Sequence, residues 1–226
     1  MKKLNCKFCK FKSVATAHLN ENDLEILSRN CARVNFKPHE TIIREGNLSL
    51  NIAYLKNGIV KYHIKGPVKE QIIKIAKSPS YLGIPTAIGD RINHYSVSAL
   101  TQCEVCFIDA EVFKQFLHRN GQFAYEIIQL MSKNELENFR NCVNRVQKQI
   151  RGKVAEAILF FAQEIFQSNE YTLPLNREEL ANLLDTTRET VCRTINEFAE
   201  QGYIDLKIRK IKILKKDKLE KISHLG

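Results

Sequence analysis

The chain lacks any apolar run long enough to cross a bilayer. Its longest wholly apolar stretch, Ala157 to Ala162, is far short of the roughly 20 residues a spanning helix needs. It also lacks a secretory core behind its basic start, where five lysines and no acids occupy the first 12 residues, so a cytoplasmic protein with no membrane partner is expected. An even set of cysteines is missing too. Seven, without a secretory signal, argue against a disulfide framework and for free thiols or metal ligands in a reducing compartment. No internal repeat or low-complexity tract is present. With 44% hydrophobic and 27% charged residues, the 226-residue chain has the composition of an ordinary globular protein with room for one large or two modest domains. Acids are in deficit. The formal charge of +10 suits a polyanionic partner, although an acidic membrane surface would satisfy it equally, so charge alone does not decide.

The deciding stretch runs from Leu175 to Leu214 and reads as helix, tight turn, helix and basic β-hairpin, a winged helix-turn-helix. Asn176 can cap the first helix while Glu179 reaches back to it, and Leu180, Leu183 and Leu184 share a face. Asp185 makes the turn, and Thr186 or Thr187 caps the second helix. There Val191, Ile195 and Phe198 recur at helical spacing and must face the core, and Gly202 ends the helix. The opposite stripe carries Arg188, Glu189, Cys192, Arg193 and Asn196. It includes the side-chain types that read base edges, guanidinium to guanine and carboxylate to the cytosine amino group. A solvated charged face is the plainer alternative, and the next segment weighs against it. Ile204, Leu206 and Ile208, then Ile211 and Ile213, alternate with mostly charged residues as two short strands joined at Arg209-Lys210. Lys207, Arg209, Lys210, Lys212, Lys215, Lys216 and Lys218 oppose only Asp205 and Asp217, which makes this wing a surface for phosphates of double-stranded DNA, with Thr187 as a further phosphate contact.

Upstream, Val34 to Asp109 is a series of short β-type runs with Gly, Pro and Asn punctuation: Ile52 to Leu55, the Asn57-Gly58 turn, Ile59 to Ile64, Gln71 to Ala76 and Tyr95 to Ile108. This spacing predicts a compact β-barrel or roll. The period then turns helical, and a helix without internal proline or glycine is expected from Gly121 to about Gln149 or Ile150. Within it Leu136, Phe139, Val143, Val146 and Ile150 step by three and four, the spacing of a two-fold coiled-coil seam and hence of a homodimer. A hinge is expected near Arg151-Gly152, followed by an apolar helix from Lys153 to Phe166. The domain plan is therefore a Cys-containing tail (1–19), a β-roll sensor domain (20–120), a dimerisation helix (121–150) and the winged helix-turn-helix domain (151–226), an α+β fold overall.

A β-roll, a long dimer helix and a C-terminal winged helix-turn-helix, in this order, resemble the Crp/Fnr family of bacterial transcription regulators over nearly the whole chain. The most specific match is Thr187-Arg188-Glu189-Thr190-Val191-Cys192-Arg193-Thr194, which is similar to the family's recognition helix. In the roll, Gly46, Ile52-Ala53-Tyr54-Leu55 and Gly58-Ile59-Val60-Lys61 look like its strand-turn-strand signature. The resemblance implies a cyclic-nucleotide-binding-like roll, a palindromic operator, contact with RNA polymerase and no enzymatic activity. It assigns guanines to Arg188 and Arg193 and a cytosine to Glu189, while Cys192 replaces a residue that is often serine or glycine. Because Arg188 accompanies Arg193, it implies a half-site of the TGTGA type rather than the TTGAT type.

For the signal, the resemblance points to two places. Cyclic-nucleotide binders in the family hold the ribose with Gly-Glu and the phosphate with Arg-Ser or Arg-Thr. Here Gly83 is followed by Ile84-Pro85, and the phosphate position falls at Asn93-His94-Tyr95 with Arg91 out of register, so cyclic AMP is not the expected effector. Gly83, Ile84, His94 and Tyr95 are the candidate effector-pocket residues. The second place is Cys6-Lys7-Phe8-Cys9, where two thiolates can share a metal, with Cys106 resembling the β-roll partner of Fnr-type iron–sulfur ligation. The third N-terminal cysteine is absent, so a fourth ligand would have to come from Cys31, Cys103 or His18. The effector stays unassigned, with an iron–sulfur cluster, another metal and a thiol switch as alternatives. Cys31 and Cys142 are expected in helices as packing residues, and Cys103 and Cys106 on opposite faces of one strand. The competing function is a ligand-responsive module that docks a protein partner through its basic C-terminal domain.

Overall fold

The computed structural model describes residues 6–226, apart from the side chain of Leu225. The chain forms two compact units, residues 1–65 with 73–136, and residues 66–72 with 137–226.

In the first unit a 3₁₀ turn (Cys6–Phe8) and two helices, α1 (Val14–Ala17) and α2 (Glu21–Arg29), precede the strands β1 (Cys31–Phe36), β2 (Thr41–Ile43), β3 (Asn51–Asn57), β4 (Ile59–Lys65), β5 (Glu70–Lys77) and β6 (Ser80–Leu82). A short helix α3 (Ile84–Ile88) leads to β7 (Ser96–Ala99) and β8 (Cys103–Asp109), then to α4 (Ala110–Arg119) and the long α5 (Gly121–Gln147). The strands make two four-stranded sheets, in the orders β1-β8-β3-β6 and β2-β7-β4-β5. The roll predicted from the strand spacing is therefore present, and the run from Tyr95 to Ile108 is two strands rather than one.

Because side chains alternate along a strand, β3 and β8 serve two cores at once. Ala53, Leu55, Cys103 and Val105 fill the interior of the roll with Val60, Leu82 and Val97. Ile52, Tyr54, Cys106 and Ile108 face the helices, where Leu24, Phe113, Phe116 and Phe123 cover them. Phe123 meets Phe113 and Phe116 edge-on at 5.2 and 5.9 Å. Each ring buried there is worth about 1.5–3 kcal/mol and fixes the start of α5 against the roll. The Asn57-Gly58 turn needs its glycine: at φ +109° a Cβ would lie 2.5 Å from Cys103 Sγ.

Three expectations are corrected here. Cys31 opens β1, opposite Ile108 of β8, rather than sitting in a helix. Helix α2 stops at Arg29, where the Asn30 side chain donates to the Ile26 carbonyl. The long helix ends at Gln147, so Ile150 starts the next helix, α6 (Ile150–Phe160), instead of continuing the seam. The break consequently falls at Lys148-Gln149. Gly152 lies inside α6 and is buried, and its lack of a side chain serves packing: a Cβ would sit 2.7 Å from the Gly226 carbonyl carbon.

In the second unit α6 runs on as a π-helical segment (Phe161–Phe166) into β9 (Glu170–Thr172), α7 (Arg177–Leu184), α8 (Arg188–Glu200), β10 (Ile204–Lys207), β11 (Lys210–Ile213) and α9 (Lys216–Leu225). Its sheet has the order β10-β11-β9. No helix among the described residues is long and apolar enough to cross a membrane.

Candidate nucleic-acid interface

Local chemistry sets the angle between α7 and α8. Asn176 accepts from the Glu179 backbone N–H at 2.8 Å while Glu179 accepts from the Asn176 N–H at 2.9 Å, a complete capping box. Asp185 takes the left-handed conformation at φ +52° to turn the chain, and Thr187 caps α8. Leu180, Leu184, Val191, Ile195 and Phe198 are buried between the two helices and α6. That burial fixes the outward stripe of α8. Arg188, Glu189, Arg193 and Asn196 are exposed and Cys192 is half-buried among them.

The electrostatics of the stripe are those of a surface awaiting a partner. Arg188 has no carboxylate partner among the described residues, and Arg193 only a distant one, Glu197 at 3.8 Å. Glu197 is instead held by Arg151 at 2.8 Å, whose guanidinium covers the Phe198 ring. The Glu189 carboxyl is held below the usual carboxylate range by its own backbone N–H and the Thr187 hydroxyl at the helix N-terminus, so it is a fixed acceptor. Thr187 itself is engaged as the cap, accepting from Thr190 N at 3.3 Å.

The wing pairs Ile204 with Ile213, Asp205 with Lys212, Leu206 with Ile211 and Lys207 with Lys210. Its turn is therefore Ile208-Arg209, one residue earlier than the expected Arg209-Lys210. Ile208 adopts φ +58° and stands almost fully exposed, because the two apolar cross-strand pairs behind it, Ile204 with Ile213 and Leu206 with Ile211, set the register. Lys207 and Lys210 face each other directly, a like-charge pair that an anion would relieve. Lys207 has no carboxylate partner among the described residues. Lys210 and Lys212 do: both pair with Glu170 of β9, the latter at 3.6 Å. Glu170 lies 40 residues before Lys210 in sequence and becomes its neighbour only through the β11–β9 pairing, so a count of acids along the wing misses it. Arg209 donates from Nε to the Leu173 carbonyl at 3.3 Å, and Arg177 donates to the Ile208 carbonyl at 3.1 Å. Arg177 is a second residue the sequence reading missed. It braces the wing tip from the start of α7.

On α5 the residues read as a seam, Leu136, Phe139, Val143 and Val146, are all exposed, whereas Ile150 lies on α6 and is half-buried. Tyr125 and Ile128 are also exposed on the same helix, eight or more residues before Leu136.

Of the four effector-pocket residues Gly83 and Tyr95 meet, the Tyr95 hydroxyl lying within hydrogen-bonding reach of the Gly83 backbone and of Thr86, while His94 points elsewhere. Gly83, at φ +82°, precedes α3, and Ile84 is buried against the helical core. Tyr95 packs on Tyr62 with ring centres 5.3 Å apart. His94 is exposed and paired with Asp90 at 2.7 Å, and Arg91 is engaged by Glu111. None of the four lines the open cleft bounded by Arg44, Asn47, Ser49, Asn93 and Phe107.

Among the cysteines, Cys6, Cys31 and Cys106 lie together on the helical side of the roll, with the Cys31 thiol in hydrogen-bonding reach of both others. Cys9 follows the turn that Cys6 starts, its N–H donating to the Cys6 carbonyl at 3.3 Å. Cys103 is in the roll interior, on the opposite face from Cys106, and His18 is beside Glu126 at 3.8 Å. The described residues contain no group of three or more His, Cys, Asp or Glu side chains arranged to hold a metal ion.

The comparisons with known proteins divide the chain as its architecture does. A model of the cyclic nucleotide-binding domain matches residues 33–120, and one of the Crp-like helix-turn-helix domain matches residues 152–222. The fumarate and nitrate reduction regulatory protein of Vibrio cholerae is 23% identical over 99% of this chain and 92% of its own length. The CRP-like cAMP-activated global transcriptional regulator of Mycobacterium tuberculosis is 21% identical over 85% of this chain and 88% of its own. Among solved structures, FixK2 from Bradyrhizobium japonicum superposes with a TM-score of 0.79 at 15% identity, covering 87% of this chain and 98% of that one. A Crp/Fnr-family regulator from Eubacterium rectale gives 0.76 at 20% identity, covering 91% and 95%. At these identities the structural likenesses establish the fold alone.

Proposed function

The chain belongs to the Crp/Fnr family of DNA-binding transcription regulators, and we propose that it acts as a homodimer whose two α8 helices enter successive major grooves of a palindromic operator. The observation that carries this reading is the exposed stripe of α8, where Arg188, Glu189 and Arg193 stand together above a buried face, in the same unit as a wing whose tip carries the opposed Lys207 and Lys210. Arg188 and Arg193 donate to guanine O6 and N7, and Glu189 accepts from a cytosine amino group, giving a half-site of the TGTGA type. Lys207, Arg209, Lys210, Lys212 and the Thr187 hydroxyl serve phosphates and set register without reading sequence. The regulator works in the cytoplasm, touches RNA polymerase when bound, and catalyses no reaction.

Its effector is a ligand other than cyclic AMP. A ribose-binding carboxylate would have to follow Gly83, where the buried Ile84 stands, and the nearby guanidinium of Arg91 is already engaged by Glu111. An anionic phosphate bound without its guanidinium loses a charge-assisted, often bidentate contact.

Operator scanning tests the reading. Glu189→Ala is expected to relax base preference at one position of each half-site, by about 1–3 kcal/mol of discrimination. Lys207→Ala is expected to weaken all sequences alike and to lower the salt slope of the dimer by about two. Equal, sequence-independent losses from both changes would overturn the base-reading assignment.

A further inference from the structure

We propose that Arg151, in the first turn of α6, is a positioning residue for sequence readout: by holding the Glu197 carboxylate, it keeps the Arg193 guanidinium free to read a guanine. This role rests on the base reading proposed above for Arg193 and accounts for what keeps that guanidinium available.

Three contacts seat Arg151 along α8. Nη1 donates to Glu197 Oε2 at 2.8 Å, Nη2 donates to Gln201 Oε1 at 3.2 Å, and the guanidinium carbon lies 5.2 Å from the centre of the Phe198 ring, which is wholly buried. Residues 197 and 201 are one helical turn apart with 198 beside them, so a planar fork that stacks on an aromatic face can satisfy all three at once. The ring and the amide fix the fork, and the fork fixes the carboxylate.

Glu197 has two cations within reach, and only one of them belongs to the reading surface. Arg193 lies four residues before it on the same helix, the spacing at which side chains are neighbours. Its Nε nevertheless stays 3.8 Å from Glu197 Oε1, beyond hydrogen-bonding distance. Arg151 holds the other oxygen, and its side chain is 41% exposed against 73% for Arg193, so the better-seated guanidinium takes the carboxylate. Without Arg151, the carboxylate turns to Arg193. A guanidinium paired on its own helix must break that pair before it can donate to guanine O6 and N7, and the cost of breaking it comes off the discrimination. An exposed i,i+4 pair shifts such an equilibrium by about twofold, hence by about fourfold for a dimer on an operator altered in both half-sites. Arg188 has no carboxylate partner among the described residues, so its guanine stands outside this competition.

The test is a competition titration with full-length protein at one salt concentration, between a TGTGA palindrome and operators in which each guanine is replaced in both halves. Arg193→Ala first marks the guanine that Arg193 reads. Arg151→Met, which keeps an unbranched stem on the Phe198 ring, is expected to lower preference for that guanine about fourfold and to leave the preference for the other guanine unchanged. Glu197→Gln should change neither, and Arg151→Met combined with Glu197→Gln should restore the preference. An unchanged preference in Arg151→Met, an equal loss at both guanines, or no recovery in the double variant would each overturn the proposal. Nuclear magnetic resonance of the unsubstituted, DNA-free protein decides the question even where Arg151→Met folds poorly. Slow guanidinium rotation is expected for Arg151 and fast rotation for Arg193, and slow rotation at Arg193 would overturn it. If Arg193→Ala alters preference at no position, the base reading itself is refuted, and Arg151 loses its role with it.

Discussion

Replacing Leu136 and Val143 together with glutamate should dissolve the dimer while leaving the single chain folded. In one chain these side chains, with Phe139 and Val146, are 68%, 51%, 59% and 81% exposed, so an isolated protomer draws little stability from them. Full burial of a Leu or Val is worth about 1.5–3 kcal/mol, and with half to two-thirds of each still open, about 1–1.5 kcal/mol per side chain remains to be gained in a seam. Two positions on two protomers amount to about 4–6 kcal/mol, or roughly a thousand- to twenty-thousand-fold in the dimer dissociation constant. Four carboxylates brought into one apolar seam add desolvation and repulsion to that loss. Sedimentation velocity over a concentration series reads the constant directly, circular dichroism checks that the helices persist, and retardation of a palindromic operator should fall in step with dimer loss. A doubly substituted protein that remains a tight dimer with native helicity would refute the seam and place the two-fold contact elsewhere.

Other outcomes follow from single contacts. Glu170→Gln removes the carboxylate that engages Lys210 and Lys212, so affinity for all DNA sequences should rise and its salt dependence steepen; unchanged salt slopes in a binding titration would show those lysines stay off the phosphates. Gly152→Ala forces a methyl group to within 2.7 Å of the Gly226 backbone and should cost about 1–3 kcal/mol in urea denaturation, whereas a silent change would mean that α6 and the C-terminal backbone separate freely. Calorimetry with cyclic AMP should give no saturable micromolar heat, and binding that also tightened operator affinity would overturn the effector reading.

Much of this was legible because the signals were local. The capping box at Asn176 and Glu179, the left-handed turn at Asp185 and the buried Val191, Ile195 and Phe198 all lie within a few residues of each other, and each matches its predicted role. Features that depend on pairing across the chain were not legible. Alternation alone extends the wing strand through Ile208, since no Gly or Asn marks the tip; the true turn follows from Leu206 pairing with Ile211, a register that sequence cannot supply. The seam's step to Ile150 is correct in spacing and fails because the helix breaks two residues earlier. Cys31, taken as helical, sits two residues beyond the end of α2 and starts a strand instead. That one boundary separates an inert packing residue from the middle member of a thiol cluster.

The two ends of the chain keep different amounts of the family's chemistry, and this bears on how a signal enters. A recognition helix is constrained at individual atoms: a guanidinium replaced at Arg188 or Arg193 loses a bidentate pair, so a reader either keeps these groups or reads another sequence. A sensing roll is constrained mainly in shape. Its interior needs Ala53, Leu55, Val60, Val97 and Val105 to close the two sheets, and those positions say nothing about what binds. At Gly83-Ile84 and at Asn93-His94-Tyr95 stand a buried isoleucine and an exposed histidine, and the roll packs the base of α5 through Phe113, Phe116 and Phe123. The thiol cluster abuts the same helical core, on the face of β3 and β8 that carries Tyr54 and Cys106, whereas the cleft at Arg44 and Asn93 does not.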